Sequence, residues 1–205
     1  MSTIKVTYFD VNGGRGEPIR LALHFAGIAF EDHRFPFSEF AEVRKQTPFG
    51  QVPTVTIDGE VITQSNALCR YFGKQAGLYP KDDYQALLCD EVMDAVEDVS
   101  HKIVATFGMS GDELKTAREQ LVAGVFSTYL KWLDDRLAKQ GGEYFADNRV
   151  TIADLKVFVF AKWLSSGQLD HVPQMLVQEV APRVAAHIER ISHLEKVAGY
   201  YQSRS

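Results

Sequence analysis

Every strand-like stretch of this chain lies in its first third, and beyond the segment GLYPKDDY the apolar residues recur only at helical spacing. Strand and helix periods mixed up to one segment, with the helix period alone beyond it, predict two domains of different class joined at a linker. IKVTYF alternates and is rich in β-branched and aromatic residues, so it reads as a strand. It runs into the turn segment VNGGRG, after which EPIRLALHFAGI follows at helical spacing with Gly27 as its stop. FEDHRF is a second strand, and a polar stretch with a short helix over 38–45 leads to the turn TPFGQ. VPTVTI and EVIT are joined by Asp58-Gly59, a strong hairpin signal, and Ser65 stands as N-cap of a helix running toward Gly77. The order is β-α-β followed by β-β-α. The expected boundaries are 1–79 for this α/β domain and 84–205 for an all-α domain.

At 205 residues each domain has enough chain to bury a core. A formal charge of -5 argues against nonspecific nucleic-acid binding, which needs a basic field to displace counterions from phosphates. No apolar run approaches the ~20 residues of a membrane helix. The opening MSTIKVTYFD lacks a basic segment followed by an apolar run, so a cytoplasmic location is expected. Cys69 and Cys89 lie inside helical patterns without Cys-x-x-Cys spacing, which suggests neither a disulfide framework nor a redox dithiol. The six histidines show no ligand spacing, so no catalytic zinc is assigned.

The mixed unit, with a Val-Pro before its third strand, resembles a thioredoxin-like domain (β-α-β-β-β-α), and its union with an all-α domain resembles the cytosolic glutathione transferases. The match is carried by Tyr8-Phe9, Arg15, Phe49-Gly50-Gln51-Val52-Pro53, Asp58-Gly59, Gln64-Ser65, the linker GLYPKD, DAVEDV and VTIAD, which together span nearly the whole chain. The spacing from Phe40 and Arg44 to Phe49-Gly50 is most similar to the sigma class, which includes glutathione-dependent prostaglandin D synthases. QSNAL and VEDV are similar to the pi class.

The resemblance implies a transferase that activates glutathione, its co-substrate, for attack on small apolar electrophiles, with peroxidase or isomerase chemistry in the same pocket. No permanently bound cofactor is implied. A free thiol titrates near ~8.5, and a phenol donating a hydrogen bond to sulfur favours the thiolate. Tyr8 is the implied donor and Arg15 the implied cation or loop anchor. Taken alone, Tyr8 also fits a strand aromatic that only packs the sheet. By resemblance Pro53 is cis and Val52 pairs its backbone with the cysteinyl part of glutathione, whereas a proline opening an edge strand is the ordinary alternative. Gln64 and Ser65, at a helix N-terminus, suit the γ-glutamyl carboxylate, and Ser65 fits equally as a mere cap. Phe40, Arg44 and Gln51 are implied at the glycyl end, where sigma enzymes commonly carry Trp, Lys and often Lys.

Asp94, Glu97 and Asp98 fall at i, i+3 and i+4 on one helix face. The resemblance implies a homodimer in which Asp98 reaches the partner's glutathione amine and Phe49 keys into the partner's helical domain. A core Phe in a tight turn is the other reading of Phe49. The matching acids of some sigma enzymes hold Mg²⁺ or Ca²⁺, but three acids on a helix also fit a solvated face, and no metal is assigned. For the electrophile the implied wall comprises Phe9, Ala105, Phe107, Gly108, Tyr200 and Tyr201. Thr151-Ile-Ala-Asp154 is a capping box with Asp in place of Glu, a folding signal. A noncatalytic binding or structural protein of the same fold is the rival reading.

Overall fold

The computed structural model describes residues 2–204, and they divide into two units. One holds the chain up to Tyr79 together with the segment from Lys196 onward; the other is Pro80–Glu195. In the first, β1 (Ile4–Phe9), β2 (Glu31–Phe35), β3 (Thr54–Ile57) and β4 (Glu60–Ile62) form one sheet in the order β2-β1-β3-β4. β1 and β2 run parallel because α1 (Glu17–Ala26) carries the chain back between them, whereas β3 is antiparallel to both its neighbours. The β3–β4 turn has φ of 49° at Asp58 and 90° at Gly59, the pair of positive values that a two-residue hairpin of matching twist requires. α1 packs on α3 (Ser65–Gln75), burying Ile19, Leu23, Leu68 and Phe72. Between β2 and β3 the expected helix over 38–45 is a single α-turn, α2 (Phe40–Val43), flanked by 3₁₀ turns at Phe37–Glu39 and Arg44–Gln46.

The register has a direct consequence for the site. Thr7 faces Thr54 on β3, while Tyr8 and Phe9 face Arg34 and Phe35 on β2. One further step of the antiparallel pairing brings Tyr8 opposite Pro53. β4 runs antiparallel to β3, so its exit at Gln64-Ser65 lies at that same end of the sheet.

The second unit is helical: α4 (Asp83–Val104), α5 (Gly111–Leu121), α6 (Ser127–Lys139), α7 (Ile152–Leu164), α8 (Leu176–Val180) and α9 (Pro182–Ser192). α7 is buried on nearly every face and packs against α4 and α9, which accounts for its almost uninterrupted apolar run. α5 and α6 are joined without a break by a π-turn at Val122–Phe126, where sequence spacing alone reads one regular helix. Among the described residues no helix is long and apolar enough to cross a membrane.

α10 (Glu195–Gln202) corrects one expectation. Its spacing was assigned to the helical domain ending at 205, but from Lys196 the chain groups with the first unit. Lys196 Nζ donates to the Phe25 carbonyl at 2.8 Å, satisfying the C-terminal end of α1, and the His24 and Tyr200 rings meet edge to face at 5.4 Å. Helical periodicity identifies a buried face but not what covers it.

Both cysteines are buried. Burial, reinforced by the Asp90 and Asp154 charges, pushes the Cys89 thiol up to about 12. With so little thiolate at neutral pH, alkylation of Cys89 in the native protein is expected to run about 1000-fold slower than for an ordinary exposed cysteine. Mass-spectrometric labelling checks this, and labelling as fast as in the denatured chain would refute it.

Candidate active site

Tyr8 lies one residue from the end of β1 with only 8% of its surface exposed. The loop after the strand wraps back over it, and Arg15 N–H donates to the phenolic oxygen at 3.0 Å. That contact holds the hydroxyl in place and, by stabilising negative charge on the oxygen, makes its proton a better donor. The close wrap requires two glycines. A Cβ at Gly14, where φ is 64°, would collide with the Tyr8 hydroxyl, and one at Gly16 would lie 2.5 Å from the ring.

Phe9 meets the Tyr8 ring edge-on at 5.3 Å and joins an aromatic group with Phe35, Phe40 and Phe37, on which it stacks at 4.5 Å. Phe37 is 65% exposed and the sequence reading did not single it out. Its signal is the FPF triplet that begins on the last residue of β2 and alternates aromatics along the chain.

The Val52–Pro53 peptide is cis. α3 begins differently from the sequence reading: Gln64, at φ 71° and ψ 98°, occupies the N-cap position, and Ser65 is the first helical residue and is buried. A positive φ at a non-glycine costs on the order of 1–3 kcal/mol and persists where the surroundings over-determine it, as they do at ligand clamps. It also turns the chain sharply out of β4 and into the helix. Arg44 places its guanidinium 5.4 Å from the Phe40 ring centroid and beside Gly50, so Phe40, Arg44 and the Gly50-Gln51 turn come together. The sheet end therefore gathers Tyr8, Val52-Pro53 and Gln64-Ser65.

Beneath Tyr8 lies an ionic cluster that sequence reading missed. Arg20 and Glu17 are wholly buried and paired at 3.2 Å, and the Arg20 guanidinium sits 5.7 Å from the Tyr8 ring centroid. Asp32 accepts from Arg20 Nε and Arg34 Nε, both at 2.8 Å, and pairs with Arg204 at 3.0 Å. Arg20 Nη1 donates to the Val11 carbonyl at 3.0 Å and Nη2 to that of Phe9 at 3.4 Å. Burial raises the Glu17 carboxyl, outweighing the Arg20 charge beside it. Burial acts the same way on Asp32, but the hydrogen bond from Arg34 and the two neighbouring guanidiniums hold it below the usual carboxylate range. Asp32 thus stabilises the fold above the ordinary carboxylate range and loses that contribution as pH falls through its lowered value. Glu17 has the opposite sign, since the fold favours its protonated form. The available signal was spacing: Glu17 and Arg20 fall at i, i+3 on the apolar face of α1, and Asp32 and Arg34 at i, i+2 on one face of β2.

Tyr200 is 1% exposed, covered by the Arg204 guanidinium 4.3 Å from its ring centroid, so it serves as core of the first unit and offers no surface to an electrophile. Tyr201 is half-buried beside it. Burial, then the Glu17 charge, pushes both phenols up. In the second unit Phe107 is 53% exposed just past α4, beside Ala105 and Gly108. Arg118 holds the buried turn under it by donating to Thr106 Oγ1 at 2.6 Å. Asp98 on α4 accepts from the Tyr129 hydroxyl at 3.2 Å, and Glu97 takes Lys156 Nζ at 2.8 Å. Glu97 is thereby committed to a structural ion pair, and among the described residues no group of three or more acids, histidines or cysteines is placed to hold a metal. Phe49 is 64% exposed rather than core.

Comparison with known proteins supplies the family. Residues 16–75 match the glutathione S-transferase N-terminal domain and residues 97–204 the C-terminal domain. The chain is 33% identical to glutathione S-transferase 1 of Ascaris suum over 100% of its length and 98% of that protein's. Among solved structures, prostaglandin synthase D of Nilaparvata lugens superposes with a TM-score of 0.86 at 27% identity, covering 99% of this chain and 98% of that one. Na-GST-3 of the hookworm Necator americanus, described as monomeric, gives 0.78 at 25%, with the same coverage. The thioredoxin-like sheet with its tyrosine, the helical unit that follows and these full-length matches agree: the chain belongs to the glutathione S-transferase family.

Proposed function

We propose that the first unit binds glutathione along the end of its sheet and that the Tyr8 hydroxyl donates a hydrogen bond to the sulfur, holding it as thiolate. The observation that carries this reading is the Arg15 N–H on the Tyr8 oxygen at 3.0 Å, which engages the phenol as an acceptor and orients it as a donor. Val52 offers its backbone to the cysteinyl part, and Gln64 and Ser65 take the γ-glutamyl carboxylate at the start of α3. Phe40, Arg44 and Gln51 form the glycyl end. Arg15 is assigned as loop anchor through its backbone, with its guanidinium adding positive field.

The thiolate attacks an electrophilic carbon of a small apolar substrate, forming a C–S bond as the leaving group departs. Phe9 is the first unit's apolar contact for that substrate. Conjugation is the primary reaction of this reading. The likeness to a prostaglandin synthase favours isomerisation of an endoperoxide as a second activity. The working form is proposed to be a cytoplasmic homodimer, with Asp98 contributed across the interface and the exposed Phe49 ring as its aromatic key.

Calorimetric titration with glutathione, sedimentation of the complex, and turnover of a chlorinated dinitrobenzene, a hydroperoxide and a prostaglandin endoperoxide test these points together. Expected are binding below millimolar concentration, a dimer, and conjugation of the chlorinated substrate. Failure to bind glutathione at millimolar concentration would revive the noncatalytic reading, and a catalytically competent monomer would remove Asp98 and Phe49 from their roles.

A further inference from the structure

Arg204 follows α10 and closes over the cluster beneath Tyr8 from outside, bordering a cleft whose other wall is the Asp10–Asn12 loop. Its partner Asp32 is the hub of that cluster. One carboxylate oxygen takes Arg20, and the other takes both Arg34 and Arg204. Arg20 in turn grips the carbonyls of Phe9 and Val11, and Arg34 reaches Val11 and the Asn12 side chain, so both hold the loop that leaves the Tyr8 strand. Arg204 also caps the ring of Tyr200, whose hydroxyl interacts with Glu17.

The charges decide why the third arginine matters. Glu17 and Asp32 supply two carboxylates, while Arg20, Arg34 and Arg204 supply three guanidiniums. Asp10, the other acid in reach of Arg34, is largely exposed and screened. Arg204 adds one positive charge to a cluster whose Arg20 guanidinium lies 5.7 Å from the Tyr8 ring centroid, and its loss shifts the cluster's balance toward negative charge. Positive charge close to a forming thiolate favours the ionised sulfur.

We propose that Arg204 is a positioning residue for the thiolate site, acting through Asp32 on Arg20 and Arg34 to fix the Phe9–Asn12 loop and to keep the field behind Tyr8 positive. This rests on the reading of Tyr8 given above. Arg204 does not touch the sulfur, and its effect is transmitted by one carboxylate and two guanidiniums.

The test is the pKa of glutathione bound to the protein, followed by the ultraviolet absorbance of its thiolate, in wild type, Arg204→Gln, Arg204→Lys and Tyr8→Phe. In Arg204→Gln the bound thiol should titrate about half a unit to one unit higher, so that kcat near neutral pH falls about 3- to 10-fold and recovers at higher pH. Glutathione KM should change less than about 2-fold. Arg204→Lys keeps the charge and should restore at least half of the shift. Arg204 keeps 21% of its side chain exposed at the end of the chain, so folding should be retained, and a melting curve alongside verifies it. Turnover lost with the bound thiol unchanged would make Arg204 a merely structural residue and overturn the proposal. So would an unshifted thiol in Arg204→Gln beside a raised one in Tyr8→Phe. A thiol unshifted in Tyr8→Phe would sink the Tyr8 reading itself, whatever Arg204 does.

Discussion

Tyr8→Phe should lower kcat for a chlorinated aromatic electrophile by about 10- to 150-fold, the cost of one hydrogen bond to a charged acceptor of about 1.5–3 kcal/mol. Glutathione KM should move little, because the proposed contacts to the rest of the tripeptide, from Val52, Gln64, Ser65 and Arg44, are untouched. The ring itself stays: Phe fills the same volume against Phe9 and beneath the Gly14–Gly16 wrap, so the fold survives. Arg15 N–H loses its acceptor, which costs on the order of 1 kcal/mol and loosens the loop. The pH for half-maximal rate should rise, since the thiol must then ionise without help. A variant within 2-fold of wild type at every pH would take Tyr8 out of the chemistry.

Asp154→Ala is expected to have the largest effect on stability. The Asp154 side chain has no exposure and serves four donors. Thr151 N–H and Oγ1–H donate at 2.8 and 2.7 Å, Phe145 N–H donates at 3.1 Å, and His187 Nε2 lies 2.9 Å away, placed to donate. It therefore closes the capping box of α7, fixes the 145–151 loop and ties that loop to α9. Removing it strands buried donors on three segments at once, at a cost of about 3–5 kcal/mol. In a protein of this size that lowers Tm by roughly 6–20 °C, readable by calorimetry. Asp154→Asn, which keeps the shape and part of the bonding, should lose less. A Tm within 2 °C of wild type for Asp154→Ala would show that water replaces the carboxylate.

The features legible in the sequence are those decided by neighbours in the chain. Asp58-Gly59 makes its hairpin because two consecutive residues accept positive φ, Gly27 ends α1 in the left-handed conformation, and Thr151 with Asp154 caps α7, all within a few residues. What escaped was decided at a distance. Arg20 and Asp32 lie on different elements, and nothing local announces that Arg204 completes them. The π-turn at Val122–Phe126 is a shift of one hydrogen bond in an otherwise helical pattern, too small for periodicity to register. At the site, the motifs around Tyr8, Val52-Pro53 and Gln64-Ser65 were visible as a series, but the left-handed Gln64 and the exposed Phe37 needed three dimensions. Tyr200 illustrates the converse: an aromatic near the chain's end was assigned to the pocket wall, yet it is packed against His24 and sealed by Arg204.

The placement of Arg204 also sets an order in time. The first unit is split in the sequence, with the whole of Pro80–Glu195 synthesised between its two parts. A nascent chain can pair β1, β2, β3 and β4 and dock α1 on α3 early, but Asp32 must wait for its third guanidinium until the second unit has been made. Until then Glu17 and Asp32 also lack the Tyr200 and Arg204 neighbours that the last segment brings. A molecule halted before residue 204 would carry Tyr8 without the third guanidinium on Asp32 that the thiolate site is proposed to need.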